Sequence, residues 1–428
     1  MPNFRRDAAF RWWLRMLRAA VGTVVISALT VLASQSPAGR EKAPQQATKT
    51  TAEFNRLAQQ ASQARKANDV KRATTLYQQA LKLNPRWKEG WWYLGTLYYD
   101  DDQYPRGLDA FRNLVELDRD LGTGWSMLGL CEFETGDYPN SFLHLNRGIQ
   151  KGLPNDLNII WVIHYHIALL DIMRSDFDAG YDLLRGMVFQ GNRSSQVRFA
   201  MGLALLRVPL LPSQVDPTKD AVIDKAGEAG ELMALEHFNE AGPVFQQLIQ
   251  EYPTTPFTHY AYGVMLSKFA QPENAAEQFK EEIKVNPDSA WPYIQLAYAY
   301  LNLKQYQDAL TYSRKAHEVV PDLFIPRYLS GRALLGLDQV HDAVDELEAA
   351  KDLAPSVAEI RYNLAIALAR DNQPKAAAVE REAFQRLEAL IQQKSRRVHS
   401  PENSTGASTS LGTPGSGQAR DPSRNTPQ

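Results

Sequence analysis

The sequence predicts an all-α solenoid, in which short helical hairpins stack one after another along the chain. A proline closes a helical pattern of apolar residues at Pro253, Pro287, Pro321 and Pro355, which are spaced 34 residues apart. Proline ends a helix because it cannot donate the next backbone hydrogen bond. No stretch alternates apolar and polar residues for long enough to predict a strand. A fixed period of this length is typical of solenoids, whose units pack only against their neighbours.

The residue types within each period predict close packing of two helices. The first helix repeats a bulky residue, a leucine with a small neighbour and a second bulky residue, as in Trp91, Leu94, Gly95 and Tyr98. The second helix repeats a small residue four places before a bulky one. Two helices cross closely only where one offers Gly or Ala and the other fills the space above it. The second-helix pairs are Ala73/Tyr77, Gly107/Phe111, Gly180/Leu184, Ala241/Phe245, Ala275/Phe279 and Ala343/Leu347.

These features resemble the tetratricopeptide-repeat family, whose unit is a 34-residue helical hairpin. The resemblance implies a right-handed superhelix of about nine repeats. The phase breaks before Trp161, and again over residues 195–221, where an apolar run and three prolines predict one additional helix and an irregular link. We expect four repeats at residues 54–194 and five at 222–395, either bent at the link or stacked straight through it. The predicted repeats start at Phe54, Lys88, Gly122, Trp161, Val222, Pro256, Ala290, Phe324 and Ala358.

The N-terminus has the layout of an export signal. Arginines between Arg5 and Arg18 precede an uncharged run whose most apolar part is residues 19–33. This run is about 15 residues long, which is short of the roughly 20 that span a bilayer comfortably. We expect residues 1–39 to be a cleaved signal peptide or a retained membrane anchor of a bacterial protein. The repeats would then lie outside the cytoplasm, in the periplasm or anchored to the inner membrane. A cytosolic protein with a buried N-terminal helix is the alternative.

Two polar segments flank the repeats. Residues 40–53 carry Pro, Gln, Lys and Thr, which is typical of a flexible spacer. Residues 396–428 are rich in Ser, Thr, Pro, Gly and Asn and nearly lack apolar side chains. Such a segment buries too little apolar surface to offset the entropy of folding, so we expect a disordered tail.

The composition argues against several classes of partner. The formal net charge is −2 and charged residues make up 22% of the chain, so a nucleic-acid partner is not expected. The single cysteine, Cys131, excludes an intramolecular disulfide and a cysteine-based metal cage. We expect Cys131 to be a small buried hydrophobe.

In the family, the first helices line a concave groove whose side chains recognise partners. The resemblance implies that the second, fifth, ninth and twelfth places of each unit face this groove. Aromatic rings recur at these places, and rings give a large contact area at low entropic cost, as an extended peptide or a partner helix requires. Alternatively, the rings pack between repeats, or the groove holds part of the chain itself. The predicted groove residues are Trp92, Tyr99, Phe133, Tyr165, Phe257, Tyr260, Trp291, Tyr298, Tyr328 and Tyr362.

No catalytic constellation stands out from the repeats. His164 and His166 are two places apart and point to different faces of a helix, and no His-Glu-x-x-His or paired-cysteine spacing occurs. The sequence therefore predicts no catalytic residue, no metal site, no cofactor and no enzymatic activity. It favours a scaffold that binds other proteins and meets a membrane only through its N-terminal segment. One alternative is a non-catalytic binding subunit associated with glycans or with a cell-wall enzyme, because aromatic stripes also stack on sugar rings. The other is a cytosolic regulatory adaptor.

Overall fold

The described residues form an all-helical chain, which confirms the predicted all-α solenoid of helical hairpins. The computed structural model describes residues 45–398, and their side chains from 49 to 393. No strand occurs within this range. The helices are α1 Gln45–Lys66, α2 Val70–Leu83, α3 Lys88–Asp100, α4 Tyr104–Leu117, α5 Gly122–Thr135, α6 Tyr138–Lys151, α7 Leu157–Met173, α8 Phe177–Phe189, α9 Ser195–Leu205, α10 Asp220–Ala234, α11 Phe238–Glu251, α12 Thr258–Lys268, α13 Pro272–Val285, α14 Ala290–Asn302, α15 Tyr306–Val319, α16 Phe324–Gly336, α17 Val340–Leu353, α18 Ala358–Arg370 and α19 Pro374–Val398.

The backbone repeats with the predicted phase. The fifteenth place of every predicted unit has a positive φ, and this residue forms the turn between the two helices of the hairpin. Only one of these residues is a glycine, so most turns place an ordinary side chain in the left-handed region. The turn residues are Asn68, Asp102, Gly136, Ser175, Glu236, Ala270, Lys304, Asp338 and Asn372.

Small residues of the first helices meet bulky residues of the second, as predicted. A Cβ atom added to Gly95 would lie 2.7 Å from Cζ of Phe111, and one added to Gly263 would lie 2.6 Å from Cε1 of Phe279. Both phenylalanines are fully buried. Cys131 is also buried, and burial raises the pKa of its thiol. The hairpin cores therefore leave no room for a larger residue at these glycines.

The extra residues that precede the fourth predicted repeat lengthen its first helix, α7. Helix α7 begins at Leu157, one turn ahead of Trp161, where the sequence predicted the unit to start. Asp156 begins this extra turn, because its carboxylate accepts the backbone N–H of Asn158. The inserted residues are thus accommodated partly as helix.

Residues 195–221 contain the additional helix, α9, and a link that is largely exposed but anchored by a few buried side chains. The link has short 3₁₀ turns at Pro212–Gln214 and Pro217–Lys219, and it buries Leu211 and Val215. One hydrophobic cluster runs from Ala168 on α7 to Ala377 on α19, and it includes both α9 and the link. The boundary predicted between two arrays is therefore not a break in the core.

The segments that flank the repeats differ in part from their predicted structure. Helix α1 begins at Gln45, so the part of the predicted spacer from residue 45 to 53 is helical. Helix α19 runs to Val398, so residues 396–398 of the predicted tail are helical. Residues 1–39, predicted to direct export, and residues 399–428 of the tail lie outside the described residues. Within residues 45–398, none of the helices combines the length and the apolar character needed to cross a bilayer.

Candidate protein-binding groove

The predicted groove residues all lie on first helices or at their N-caps, but they differ in exposure. Tyr99, Tyr260 and Tyr328 are buried, whereas Tyr362 is 50% exposed. The other six are half-buried, so the rings do not form one continuous open surface. These six are Trp92, Phe133, Tyr165, Phe257, Trp291 and Tyr298.

In the N-terminal repeats the rings pack mainly against neighbouring helices. Trp92 lies edge-on to Phe111 at 5.9 Å, and Tyr99 lies edge-on to Tyr104 at 5.3 Å. Trp92 also borders a small apolar recess between α3, α5 and α7, lined by residues such as Leu130 and Ile159. This part of the predicted groove offers little exposed ring surface.

Phe133 and Tyr165 pack around a buried imidazole. The ring of His166 lies 4.7 Å from Phe133 and 5.7 Å from Tyr165. Burial lowers the pKa of His166 to about 4, although its contact with the Val162 carbonyl opposes this shift. His166 is therefore neutral at pH 7, and its Nδ1–H can donate to that carbonyl at 2.7 Å. These contacts assign the three rings to packing.

Phe257, Tyr260 and Trp291 surround an arginine from the link that follows α9. The Arg207 guanidinium carbon lies 5.8 Å from the Phe257 ring, 5.0 Å from Tyr260 and 4.6 Å from Trp291. Phe177, at the start of α8, adds a fourth ring at 5.4 Å. We call these four rings the arginine cage. Here the chain itself fills the predicted groove.

The sequence interpretation missed Arg207, although a signal was present. Arg207 is the only charged residue between Arg198 and Asp216, and it follows an apolar run directly. A lone charge in an apolar segment is expected to find a specific partner when the segment folds.

Glu282 on α13 holds the start of α12, and so positions two rings of the arginine cage. Its Oε1 accepts the Phe257 N–H at 2.6 Å, and its Oε2 accepts the Tyr260 N–H at 3.1 Å. Burial raises the pKa of this carboxyl, while the two backbone donors lower it. Because Phe257 has φ +68°, the helix begins only at Thr258, two residues after the predicted start of the unit.

Tyr298, Tyr328 and Tyr362 occupy three successive first helices, α14, α16 and α18, and we call them the tyrosine stripe. The pKa of Tyr298 is raised to about 12, chiefly by burial and also by Tyr328, while Arg332 lowers it. Asn363 donates from Nδ2 to the Tyr328 hydroxyl at 3.2 Å. Polar groups thus accompany the rings along this part of the groove.

A separate cleft of about 400 Å³ lies between α11, α12 and α13. Its walls carry amide side chains, and its floor includes Tyr262, which stacks on Phe245 at 5.3 Å. The imidazole Nδ1 of His259 on α12 lies 2.8 Å from Oε1 of Gln278 on α13. The amide residues of the cleft are Gln246, Gln250, Gln271, Asn274 and Gln278.

The described part of the chain brings together no group of three or more His, Cys, Asp and Glu side chains that could hold a metal ion.

Family models identify the repeat. Two models, each described as a tetratricopeptide repeat, match residues 279–311 and residues 59–121 and 328–390. These three segments are tetratricopeptide repeats. The tyrosine stripe lies within the two C-terminal matches, with Tyr298 in residues 279–311 and Tyr328 and Tyr362 in residues 328–390.

Solved structures resemble the chain at low identity. A MamA RS-1 double mutant is 20% identical, with 40% of this chain and 97% of that chain covered and a TM-score of 0.38. MamA from Desulfovibrio magneticus RS-1, residues 41 to the end, gives 20% identity, coverage of 40% and 96%, and a TM-score of 0.38. The Cut9–Hcn1 hetero-tetramer of the APC/C gives 12% identity, coverage of 80% and 81%, and a TM-score of 0.32. No curated protein sequence matches the chain significantly.

Proposed function

We propose that the protein is a non-catalytic scaffold that binds a partner peptide or helix along the tyrosine stripe. The observation that carries this proposal is the set of rings and polar groups on α14, α16 and α18. Tyr362 is 50% exposed, Tyr298 is half-buried, and Arg332 lies 5.6 Å from the Tyr328 ring. Aromatic rings next to hydrogen-bonding groups are typical of surfaces that recognise other proteins.

Other side chains of the protein already contact most of the remaining predicted groove rings. Phe257, Tyr260 and Trp291 face Arg207, and Phe133 and Tyr165 face His166. Tyr362 is 50% exposed, and its ring lies 5.5 Å from that of Phe384 on α19. We therefore place the partner on the tyrosine stripe, where Tyr362 is exposed and Tyr298 half-buried.

The test compares two variants of the full chain in a crosslinking pull-down from cells of its native source, read by mass spectrometry. Replacing Tyr298 and Tyr362 together by Ala is expected to abolish recovery of the partner. The matched control is Phe189→Ala, because Phe189 is 81% exposed on a second helix, away from the stripe. Equal recovery with both variants, at unchanged helicity, would contradict the proposed binding surface.

We also propose that the scaffold works in the cell envelope, with its repeats outside the cytoplasm. The support is the arginine-rich start followed by the apolar run at residues 19–33. Fractionation of a C-terminally tagged chain is expected to place it with the periplasm or the inner membrane. N-terminal sequencing of the recovered protein then separates cleavage from anchoring. Recovery in the cytosolic fraction would favour the adaptor alternative.

A glycan-binding role is the second candidate, and the cleft between α11, α12 and α13 favours it. The amide groups and the tyrosine ring, beside the His259 imidazole and the Glu277 carboxylate that pairs with Lys280, suit a ligand with many hydroxyl groups, because amides both donate and accept hydrogen bonds. Binding to immobilised cell-wall material that survives trypsin treatment of that material is the expected result. The double substitution Gln246→Ala and Gln250→Ala, at exposed positions, should remove it. Loss of binding after trypsin treatment would exclude this role.

A further inference from the structure

Arg207 is a charged side chain that the fold almost removes from water. Only 6% of its side chain is exposed. Its nearest carboxylate, Asp178, is 83% exposed and lies 3.4 Å from Nη2. A solvent-exposed partner contributes little, because water screens the pair. The contacts that compensate for the buried charge must therefore come from the arginine cage.

The geometry of the cage suits a guanidinium group. All four ring centroids lie within 5.8 Å of the guanidinium carbon, the range in which a cation is attracted to the face of a ring. Nη2 also donates to the Tyr260 hydroxyl at 3.2 Å. A guanidinium is planar and weakly hydrated, whereas an ammonium is compact and strongly hydrated. An arginine is therefore held better here than a lysine.

Two residues of this contact, Arg207 and Phe257, have a backbone conformation that side chains disfavour. In the described residues, Arg207 and Phe257 are the only residues other than glycine that have a positive φ outside the hairpin turns. Their φ values are +50° and +68°, and their side chains meet in the cage. Such conformations cost free energy and persist only where surrounding contacts hold them. At Arg207 this conformation ends α9, where the Val208 N–H donates to the Leu203 carbonyl at 2.9 Å, and at Phe257 it is held by Glu282, which accepts the Phe257 N–H.

The cage also joins distant parts of the chain. Arg207 belongs to the link after α9, Phe177 to α8, Tyr260 to α12 and Trp291 to α14. We propose that these rings form a guanidinium-binding site whose tethered ligand is Arg207, and that this contact locks the link across α8, α12 and α14. The inserted segment is then a brace within the solenoid, where the sequence alone left open a hinge.

The first test measures thermal unfolding and hydrogen exchange of the full chain with Arg207→Met, Arg207→Lys and, as a control, Arg193→Met. Arg193 is also an arginine near this segment, but 56% of its side chain is exposed. Both Arg207 variants should lower the thermal midpoint by roughly 5 °C, since Met removes the cation and the more strongly hydrated ammonium of Lys is held less well by the rings. Exchange in residues 206–219 should rise about tenfold. The control should match the wild type.

A lysine variant that behaves like the wild type would overturn the guanidinium preference. Unchanged exchange in the methionine variant would overturn the lock.

The second test asks whether an untethered ligand can refill the site. The full chain with Arg207→Ala is titrated with ethylguanidinium chloride and, in parallel, with ethylammonium chloride. Ethylguanidinium should raise the midpoint of this variant relative to its effect on the wild type, and ethylammonium should not. Adding Trp291→Ala should abolish the difference. Equal responses to the two salts would overturn the site.

Discussion

Asp171 is a carboxylate that the fold keeps away from water. It lies near the end of α7 with 8% of its side chain exposed, 3.8 Å from the Arg174 guanidinium. Its pKa is raised to about 6, chiefly by burial and also by Asp176, while Arg174 lowers it. The folded protein thus holds this proton more tightly than the unfolded chain. Asp171 therefore favours folding at low pH, and this contribution is lost as the pH rises from about 4 through 6.

Replacing Asp171 by Asn is expected to raise the thermal midpoint at pH 7 and to leave it nearly unchanged at pH 4. A pKa raised from 3.8 to about 6 corresponds to at most about 3 kcal/mol of unfolding free energy at neutral pH. Thermal unfolding at both pH values measures the effect. The control is Asp182→Asn, because Asp182 is half exposed.

The comparison must be made between variants at each pH, because His166 acts in the opposite direction. Its pKa is lowered to about 4, so its contribution is lost as the pH falls below its ordinary value of 6.5. If the midpoint of the Asn variant follows the wild type at every pH, Asp171 is not buried as described.

At the scale of single residues, recurring positions could be predicted and unique contacts could not. The place of Tyr298, Tyr328 and Tyr362 on first helices follows from their position in the period. The contact between Arg207 and Tyr260 does not, because these residues are 53 positions apart and the link that carries Arg207 follows no period. Contacts of this kind decide whether a ring of the predicted groove is exposed to a partner or covered by the chain itself.

Helices α9 and α10 cross more closely than any side chain would allow. A Cβ atom added to Gly202 would lie 1.9 Å from the carbonyl oxygen of Ile223, and one added to Gly227 would lie 2.0 Å from that of Arg198. Both obstacles are backbone atoms, which cannot move aside as a side chain can. The additional helix is thus joined to the fifth repeat by a contact that requires glycine on both sides.

Gly202→Ala is expected to destabilise the protein by about 3 kcal/mol, since the two helices must separate to admit a methyl group. Gly186→Ala is the matched control. Gly186 lies on the neighbouring helix α8 with nothing within 4 Å of the added Cβ, so this change should stabilise by about 0.5–1 kcal/mol. Thermal or denaturant unfolding distinguishes the two. A destabilising effect of similar size in both would contradict the close crossing.

At the scale of elements, helix existence was easier to predict than helix ends. The period places every hairpin turn correctly, because the turn residue recurs at one place. It misplaces the start of α7, which the Asp156 cap extends by a turn, and the start of α12, which the positive φ of Phe257 delays. Both ends depend on one local contact, which the period does not encode.

The described residues have three separate hydrophobic clusters, which grow larger towards the C-terminus. One cluster of buried residues covers Ala61 to Ala110, a second covers Tyr99 to Leu170, and the third extends from Ala168 to Ala377. In a solenoid, stability is approximately a sum over units and their interfaces. A substitution that destabilises the first cluster should therefore unfold only the repeats that contain it.

Tyr77→Ala is expected to open the first two repeats and leave the C-terminal repeats protected. Tyr77 is 1% exposed and stacks on Trp87 at 5.6 Å, so its loss should cost about 4 kcal/mol in that cluster. Hydrogen exchange followed by mass spectrometry should show faster exchange at residues 54–121 and unchanged exchange at 324–370. Uniformly faster exchange would mean that the chain unfolds as one unit.

The continuity of the third cluster across α9 and the link bears on how the molecule responds to tension. A pull applied between its two ends acts on every interface equally, so the interfaces yield in order of their cohesion. The small N-terminal clusters should detach first, one hairpin at a time. The part braced by Arg207 should resist longest, and the tyrosine stripe belongs to that part. A partner bound there would stay attached while the rest of the chain extends.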